Sequence, residues 1–130
     1  MEFLSPMGWD RARGYAHGVA ATGKLVFVSG QVGWDAHRRF ASDEFPDQVK
    51  AALENVAIVL SAAGARVEHI ARLTWYVTDK AEYLRLQREI GDAYRAVMGT
   101  HFPAMSVVEV SALVEDRAKV EIEATAVLPS

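Results

Sequence analysis

The residue best placed to do chemistry is Glu121, which lies in the segment AKVEIEATAVL. Apolar and polar residues alternate in this segment, as in a strand with two different faces. One face carries Val120, Ile122, Ala124 and Ala126, and the other carries Lys119, Glu121, Glu123 and Thr125. A carboxylic acid in partly apolar surroundings can pass protons to and from water or a substrate nitrogen. Periodicity alone favours the plainer interpretation, a solvated strand face.

A second candidate is the Ser29-Gly30 pair within VSGQ (28–31). Because glycine has no side chain to block approach, backbone N–H groups there could hold a carbonyl or carboxylate oxygen. A bulge or turn is the commoner reason for this pattern. Tyr15 and the tryptophans at positions 9, 34 and 75 could line a pocket. Such aromatic residues more often belong to a core or an interface.

Other familiar reactive groups are absent. The histidines at positions 17, 37, 69 and 101 are far apart, and none has a metal-type partner at i+2 or i+4, so we expect no metal site. The chain has no cysteine, which excludes disulfides, thiolate zinc sites and cysteine nucleophiles. No nucleophile elbow, Walker loop or dinucleotide fingerprint occurs.

Composition sets the class of protein. The 130 residues are enough for one domain, residues 1–130, with a real core. With 51% hydrophobic and 24% charged residues, the balance is that of a soluble globular protein. A net charge of −3 and the lack of a Lys/Arg cluster beyond Arg38-Arg39 make nucleic acid a poor candidate partner. The N-terminus does not resemble a signal peptide and no apolar stretch could span a bilayer, so we expect a cytoplasmic location and no membrane partner.

The strands must position these residues. Residues 1–14 predict an irregular lead-in. Residues 15–23 and 24–32 predict two strands joined by a tight turn at Thr22-Gly23, because glycine tolerates positive φ. Further strands are predicted over 69–79, 105–113 and 118–128.

Two helices are predicted between the strands. The first covers 42–65, with Ser42 or Asp43 as its cap, Pro46 in its first turn and Gly64 at its end. Its apolar stripe consists of Val49, Leu53, Val56, Leu60 and Ala63. The second covers about 80–98, begins at the capping pair Asp79 and Glu82, and ends at Gly99. Its apolar face consists of Tyr83, Leu86, Ile90, Ala93 and Val97.

The predicted order ββαβαββ indicates a two-layer α+β domain, with both helices on one face of a mixed sheet. The opposite face should carry Glu109, Glu121 and Glu123 together with Val107 and other apolar residues. Because this mixture is poorly suited to water, we expect the face to pack against another copy of the chain.

Six blocks, which together cover nearly the whole chain in order, resemble the Rid/YjgF family of reactive-intermediate deaminases, also called endoribonuclease L-PSP. They are GYAHGV (14–19), LVFVSGQVGWD (25–35), Q…ALENV…LSAAGA (48–65), LTWYVTD (73–79), FPAMSVVEVSAL (102–113) and VEIEATA (120–126). The resemblance implies a chorismate-mutase-like α+β fold and a homotrimer. In that trimer, three sheets enclose a central barrel and small-molecule pockets lie at the subunit interfaces.

The resemblance also implies a reaction. The best-known members hydrolyse 2-imino or enamine acids to 2-keto acids and ammonia without a cofactor. An arginine in a PARS block grips the substrate carboxylate, and a glutamate in the EIEA block positions or activates water. Carried over residue by residue, this implies that Glu121 is catalytic. The implied substrate-binding residues are Tyr15, Ser29, Gly30, Met105 and Val107.

Met105 departs from the family pattern, because PAMS stands where PARS is expected. Methionine has no charge and is only a weak acceptor. Since a charge-assisted pair contributes roughly 1.5–3 kcal/mol, a 2-imino acid should bind at least about tenfold less tightly. One explanation is a different cation, for which the candidates are Arg13, His17, His101 and Lys119. The favoured explanation is a substrate without a carboxylate there, against an apolar wall of Met105, Val107 and nearby tryptophans.

Two functions follow from this comparison. The favoured one is hydrolytic deamination of a reactive imine or enamine to the carbonyl compound and ammonia, with a substrate preference altered by Met105. The alternative is a non-catalytic trimer that binds a small molecule or a partner protein, which the loss of the arginine supports. A ribonuclease role ranks third, because the chain is acidic and no basic-aromatic surface is apparent.

Overall fold

Six strands and three helices make up the fold, and the computed structural model describes all residues from 1 to 130. In chain order they are β1 (Glu2–Leu4), β2 (Gly18–Ala20), β3 (Lys24–Val32), α1 (Phe45–Ser61), β4 (Ile70–Val77), α2 (Lys80–Arg85), α3 (Gln87–Met98), β5 (Ala104–Glu109) and β6 (Val120–Leu128). No helix has both the length and the apolar character needed to cross a membrane.

The main sheet has four strands in the order β3-β6-β4-β5. β6 runs antiparallel to both β3 and β4, whereas β4 and β5 are parallel. Buried residues of β4 and β6 form one core with α1 and α3. The predicted α+β class, with helices on one face of a mixed sheet, is therefore confirmed.

The predicted hairpin between residues 15–23 and 24–32 is wrong. β2 pairs with β1, placing Phe3 opposite Val19, so the lead-in contains a strand. β3 pairs with β6, beginning with Lys24 opposite Leu128. β6 offers nine residues to pair with, whereas β2 has only three, and the longer partner satisfies more backbone groups. Gly23 still requires glycine, because its φ is 153° and a Cβ there would collide with the Leu128 main chain.

Helix α1 confirms the predicted apolar stripe except for Ala63, which lies beyond the end of the helix at Ser61. Val49, Leu53, Val56 and Leu60 are completely buried, and Pro46 lies in the first turn. The N-cap is Glu44, rather than Ser42 or Asp43, because the Ser42 hydroxyl instead accepts a hydrogen bond from the Glu44 N–H at 3.0 Å.

Gly64 lies just beyond the end of α1 with a φ of 73°, a conformation in which glycine is favoured. The Ala65 N–H donates to the Leu60 carbonyl at 3.0 Å, which closes the last turn.

The second predicted helix is two helices. Leu86, with φ −105° and ψ 27°, separates α2 from α3. Asp79 caps α2 as predicted, since its carboxylate accepts from the Glu82 N–H at 3.1 Å. The helices keep the predicted apolar face and end at Gly99, which has a positive φ.

The second face of the sheet has no covering layer within the chain. Phe27 is 71% exposed there and Leu25 is 56% exposed. Arg72, Thr74 and Tyr76 of β4 lie beside Thr125, Glu123 and Glu121 of β6. We call this surface the open face.

The open face differs from the prediction at β5. Val107 pairs with Trp75 and packs against the core, so it lies on the helix side. Glu109 accepts a hydrogen bond from the Lys80 N–H at 2.7 Å and so stabilises the first turn of α2. The residues that β5 places on the open face are instead Ser106 and Val108, which pair with Thr74 and Tyr76 and are exposed.

Candidate active site

Strand β3 is bulged where it passes Glu121. Val28 pairs with Ala124 and Gln31 with Ile122, so Ser29 and Gly30 together occupy one position of the ladder. Such a bulge withdraws backbone groups from regular pairing and bends the strand. The bulge therefore releases main-chain groups of Ser29 and Gly30 from regular pairing with β6, and these groups can contact a ligand.

The Glu121 carboxylate lies directly against Gly30. A Cβ at Gly30 would stand 2.7 Å from Cδ and 2.9 Å from Cγ of Glu121, and closer still to one carboxylate oxygen. Gly30 has no unusual φ, so the requirement for glycine here is one of space. Three of the predicted site residues, Ser29, Gly30 and Glu121, thus form one group, which we call the carboxylate half-site.

The two glutamates of β6 have different surroundings. Glu123 accepts a hydrogen bond from the Tyr76 hydroxyl at 2.7 Å. This bond raises the pKa of Tyr76, and desolvation and the negative charges of Glu123 and Glu121 add to the shift. Glu121 is half-buried, with no side-chain hydrogen bond or ion pair. Its carboxylate is therefore the one free to engage water or substrate.

The remaining predicted residues lie at the opposite edge of the sheet. Met105 and Val107 belong to β5, where they are half-buried. The segment before β2 runs along this edge, and the Ala16 N–H donates to the Pro103 carbonyl at 2.9 Å. Tyr15 is thereby held close to the start of β5, and we call Tyr15, Met105 and Val107 the edge half-site.

One chain does not bring the two half-sites together. β3 and β5 are the outer strands of the sheet, three strand spacings or about 14 Å apart. Met105 also lies on the helix side beside Leu73, whereas Glu121 lies on the open face beside Tyr76. A pocket containing both half-sites needs a second copy of the chain.

The family model for Endoribonuclease L-PSP matches residues 9–128. The chain belongs to this family. The match spans both half-sites and every helix, so the predicted Rid/YjgF membership is confirmed.

Individual members of the L-PSP family match along most of their length. A 2-iminobutanoate/2-iminopropanoate deaminase of Salmonella typhimurium is 35% identical over 116 residues, which cover 87% of this chain and 86% of that protein. The structure of a Rid-family protein of unknown function, YyfB from Yersinia pestis, aligns with a TM-score of 0.83 and 29% identity over 98% of both chains. Escherichia coli TdcF, solved with bound serine, aligns with a TM-score of 0.70 and 32% identity over 98% of this chain and 99% of TdcF.

Most cations that we considered as replacements for the arginine of the L-PSP pattern are engaged elsewhere. The His101 ring hydrogen-bonds the Ile70 carbonyl at 2.7 Å, and the His17 ring bonds the Asp10 carbonyl at 2.9 Å. Lys119 lies 3.6 Å from the Glu82 carboxylate. Arg13 is exposed and lines none of the principal cavities.

The tryptophans are also dispersed. Trp75 lies in the core and Trp34 lies beside Phe40. Two of them lie near the edge half-site: Trp75 is the register partner of Val107, and the Trp9 ring lies 5.2 Å from that of His17, which also contacts Tyr15.

A basic-aromatic cluster does exist on this L-PSP member, contrary to our expectation. Arg38 lies 5.7 Å from the centre of the Trp34 ring, and Arg117 lies 5.3 Å from that of Phe40. Arg117 is bound to the Asp43 carboxylate at 2.8 Å, and Glu115 and Asp116 border the same concavity. These acidic groups oppose the phosphates of a nucleic acid.

Sequence reasoning missed two residues that position the carboxylate half-site. The Gln48 amide donates to the Arg117 carbonyl at 3.0 Å and accepts from the Lys119 N–H at 2.8 Å, just before β6. The Asn55 amide donates to the Val32 and Trp34 carbonyls at 2.9 and 2.7 Å, at the end of β3. Both residues lie on α1 beside its buried stripe, seven positions apart. That spacing was the signal that could have found them.

Proposed function

We propose that the protein hydrolyses a reactive imine or enamine to the carbonyl compound and ammonia. Its family membership and the deaminase among its relatives support this activity. The observation that carries the proposal is the unpaired Glu121 carboxylate against the bulge at Gly30. This arrangement gives a proton acceptor beside backbone groups that can hold a polar substrate atom.

In this reaction Glu121 acts on water. The carboxylate takes a proton as the water oxygen bonds to the imine carbon, whose C=N π electrons move to nitrogen. The protonated carboxyl returns this proton to nitrogen, which gives a carbinolamine with a hydroxyl and an amino group on the same carbon. Glu121 then takes the hydroxyl proton and passes it to the amine nitrogen, so that the C–N bond breaks and ammonia leaves as the carbonyl forms. Backbone N–H groups of the bulge would hold the substrate oxygen atoms through these steps. An enamine enters the same route once it is protonated on carbon to the iminium form.

The complete pocket is proposed to form between copies of the chain in a homotrimer. One copy supplies Ser29, Gly30 and Glu121, and its neighbour supplies Tyr15, Met105 and Val107. The separation of the half-sites in one chain and the exposed apolar residues of the open face support this assembly. The binding energy of substrate would then depend on both subunits.

Met105 alters the substrate preference in this proposal. Its thioether offers dispersion contacts where a guanidinium would offer two charged hydrogen bonds. Met105 and Val107 therefore favour an apolar substrate body along β5, and a substrate larger than the shortest imino acids.

The decisive test replaces Glu121 with Gln, which keeps the shape but cannot accept the proton of water. We expect ammonia release from imines generated in situ to fall at least about a hundredfold, with an unchanged assembly mass. Glu123→Gln is the matched control, since it removes a carboxylate from the same strand and face whose partner is Tyr76. Unchanged turnover in Glu121→Gln would refute the proposed role.

The non-catalytic alternative is favoured by one observation, the absence of a cation at Met105. A broad panel of imines, made from different amino acids and followed by ammonia production, separates the two functions. No rate above the solvent reaction across that panel would favour binding without turnover.

A further inference from the structure

We propose that Arg11 binds the substrate carboxylate, in the role that the L-PSP pattern gives to an arginine at position 105. This inference rests on the proposed function, because it names the substrate class of the same site. It also reverses our preference for a substrate without a carboxylate.

A cavity beside the edge half-site contains Arg11. It has a volume of about 200 Å³, and its lining includes Phe3, Ser5, Arg11, Tyr15, His17 and Phe102. The lining is mostly apolar and aromatic, with a few polar groups that converge on it, which is the usual character of a small-molecule site. Arg11 is its only residue that carries a permanent charge.

Arg11 is available to bind an anion. It forms no ion pair and its side chain makes no hydrogen bond, unlike Arg66, Arg95 and Arg117. A guanidinium remains charged across the pH range in which proteins fold and presents paired N–H donors that match a carboxylate. Arg11 is exposed in the free chain, and the apolar and aromatic residues that line the cavity would shield one side of the ion pair from water.

The segment that carries Arg11 is held in place on both sides. The His17 ring bonds the Asp10 carbonyl at 2.9 Å, which closes the chain from 10 to 17 into a loop. The Trp9 and Tyr15 rings both meet the His17 ring edge-on, with centroids 5.2 and 5.6 Å away. An anchored loop loses less entropy when a ligand binds, so Arg11 is better placed than a free surface arginine.

The cavity lies beside the segment that leads into β5, the strand that carries Met105. Phe102 lines it and lies three residues before Met105, and the Ala16 N–H joins the loop to the Pro103 carbonyl. A substrate with its carboxylate on Arg11 would therefore extend past Tyr15 towards Met105. The predicted substrate class is an imino or enamine acid whose apolar body is long enough to cover that distance.

The test measures binding of phenylpyruvate, a stable keto acid of the product class with a long apolar body, by titration calorimetry to the assembled protein. We expect Arg11→Ala to weaken binding at least about tenfold, the loss typical of a charge-assisted pair. Arg13→Ala is the matched control, because Arg13 lies on the same loop but does not line the cavity. Introducing Met105→Arg into the Arg11→Ala protein should restore binding, which would also show that the loop variant is folded.

Equal affinity in wild type and Arg11→Ala would overturn the inference, as would an equal loss in Arg13→Ala or no binding to the wild-type protein. The result is separate from the test of the proposed function. Glu121→Gln measures ammonia release, whereas this experiment measures affinity for a compound that is not turned over.

Discussion

At the scale of single residues, Gly30 decides where the Glu121 carboxylate can lie. The bulge brings the main chain of β3 so close to the carboxylate that no side chain fits between them. The two residues are distant in sequence, and each looks ordinary on its own. Sequence patterns could name both as candidates, but only the register of β3 against β6 shows that they touch.

Gly30→Ala should lower the activity with little effect on the stability of the fold. The new methyl group would displace the end of the Glu121 side chain, a flexible group, and no unusual φ is involved. We expect kcat/KM for imine hydrolysis to fall at least about tenfold while the free energy of unfolding changes by less than about 1 kcal/mol. Steady-state kinetics and urea unfolding measure the two effects.

Gly91→Ala provides the comparison for that variant. A Cβ at Gly91 would lie 3.2 Å from the Arg95 guanidinium, which can move, and helix α3 would gain about 0.5–1 kcal/mol from the loss of glycine. Its activity should match the wild type. A Gly30→Ala enzyme with wild-type kcat/KM would show that the contact with Glu121 has no catalytic importance.

At the scale of elements, helix α1 sets the relative position of β3 and β6. Its apolar stripe binds it to the sheet, while Gln48 and Asn55 fasten the chain at the ends of the two strands. Gly33 lets the chain after β3 pass within van der Waals distance of the Gln48 backbone. The helix is thus a scaffold for the carboxylate half-site even though no residue of it belongs to that half-site.

Gln48→Met should damage both stability and activity. The variant keeps the volume but leaves the Ser42 and Arg117 carbonyls and the Lys119 N–H without their partner. We expect the free energy of unfolding to fall by about 2–4 kcal/mol, because buried polar groups lose their hydrogen bonds. Urea unfolding tests this, with kcat/KM as a second measurement since Lys119 lies two residues before Glu121.

Gln87→Met is the control for this loss. Gln87 is exposed, and its amide bonds only the Tyr83 carbonyl one turn away, so a change within about 0.5 kcal/mol is expected. Equal stabilities of the two variants would contradict a structural role for Gln48.

Elements that depend on residues close together in the sequence could be predicted, whereas features that depend on distant residues could not. The apolar stripe of α1 could be predicted because helical periodicity involves only residues close together in the sequence. The alternation of residues in β6 likewise separated its buried face from its open face correctly. The pairing partner of β3 could not be predicted, since the pairing joins residues that are 89 to 104 positions apart. The break at Leu86 was also hidden, because both sides of it favour a helix and keep the same apolar face.

The candidate site shows the same limit. The types of its residues could be named from motifs, but their division into two half-sites follows from strand order, which no motif specifies. Arg11 carried no signal at all, because its importance comes from a cavity formed by β1, the loop before β2 and Phe102.

At the scale of the whole molecule, the open face is expected to hold the assembly together. Phe27→Asp would place a charge in the most exposed aromatic position of that face. We expect the wild-type protein to have three times the chain mass of 14.3 kDa in light scattering and the variant to shift to smaller species without ammonia release. Both effects are expected because each pocket is proposed to form between two copies.

Ile58→Asp is the matched control for assembly. Ile58 is 65% exposed on helix α1, in the layer opposite the open face, so the mass should not change. A Phe27→Asp protein that keeps both the wild-type mass and activity would exclude the open face as the contact between copies.

Stacked aromatic rings in the core include a tryptophan whose fluorescence can be used to follow ligand binding. Phe102 stacks on Tyr94 with ring centres 5.2 Å apart, and Tyr94 stacks on Trp75 at 6.3 Å. The Trp75 indole is shielded from water and its N–H has no partner, so its emission should lie to the blue of exposed Trp9. A ligand that contacts Phe102 would contact one end of this stack. We therefore expect its binding to change the fluorescence of Trp75 at the other end, which can be measured without an added dye.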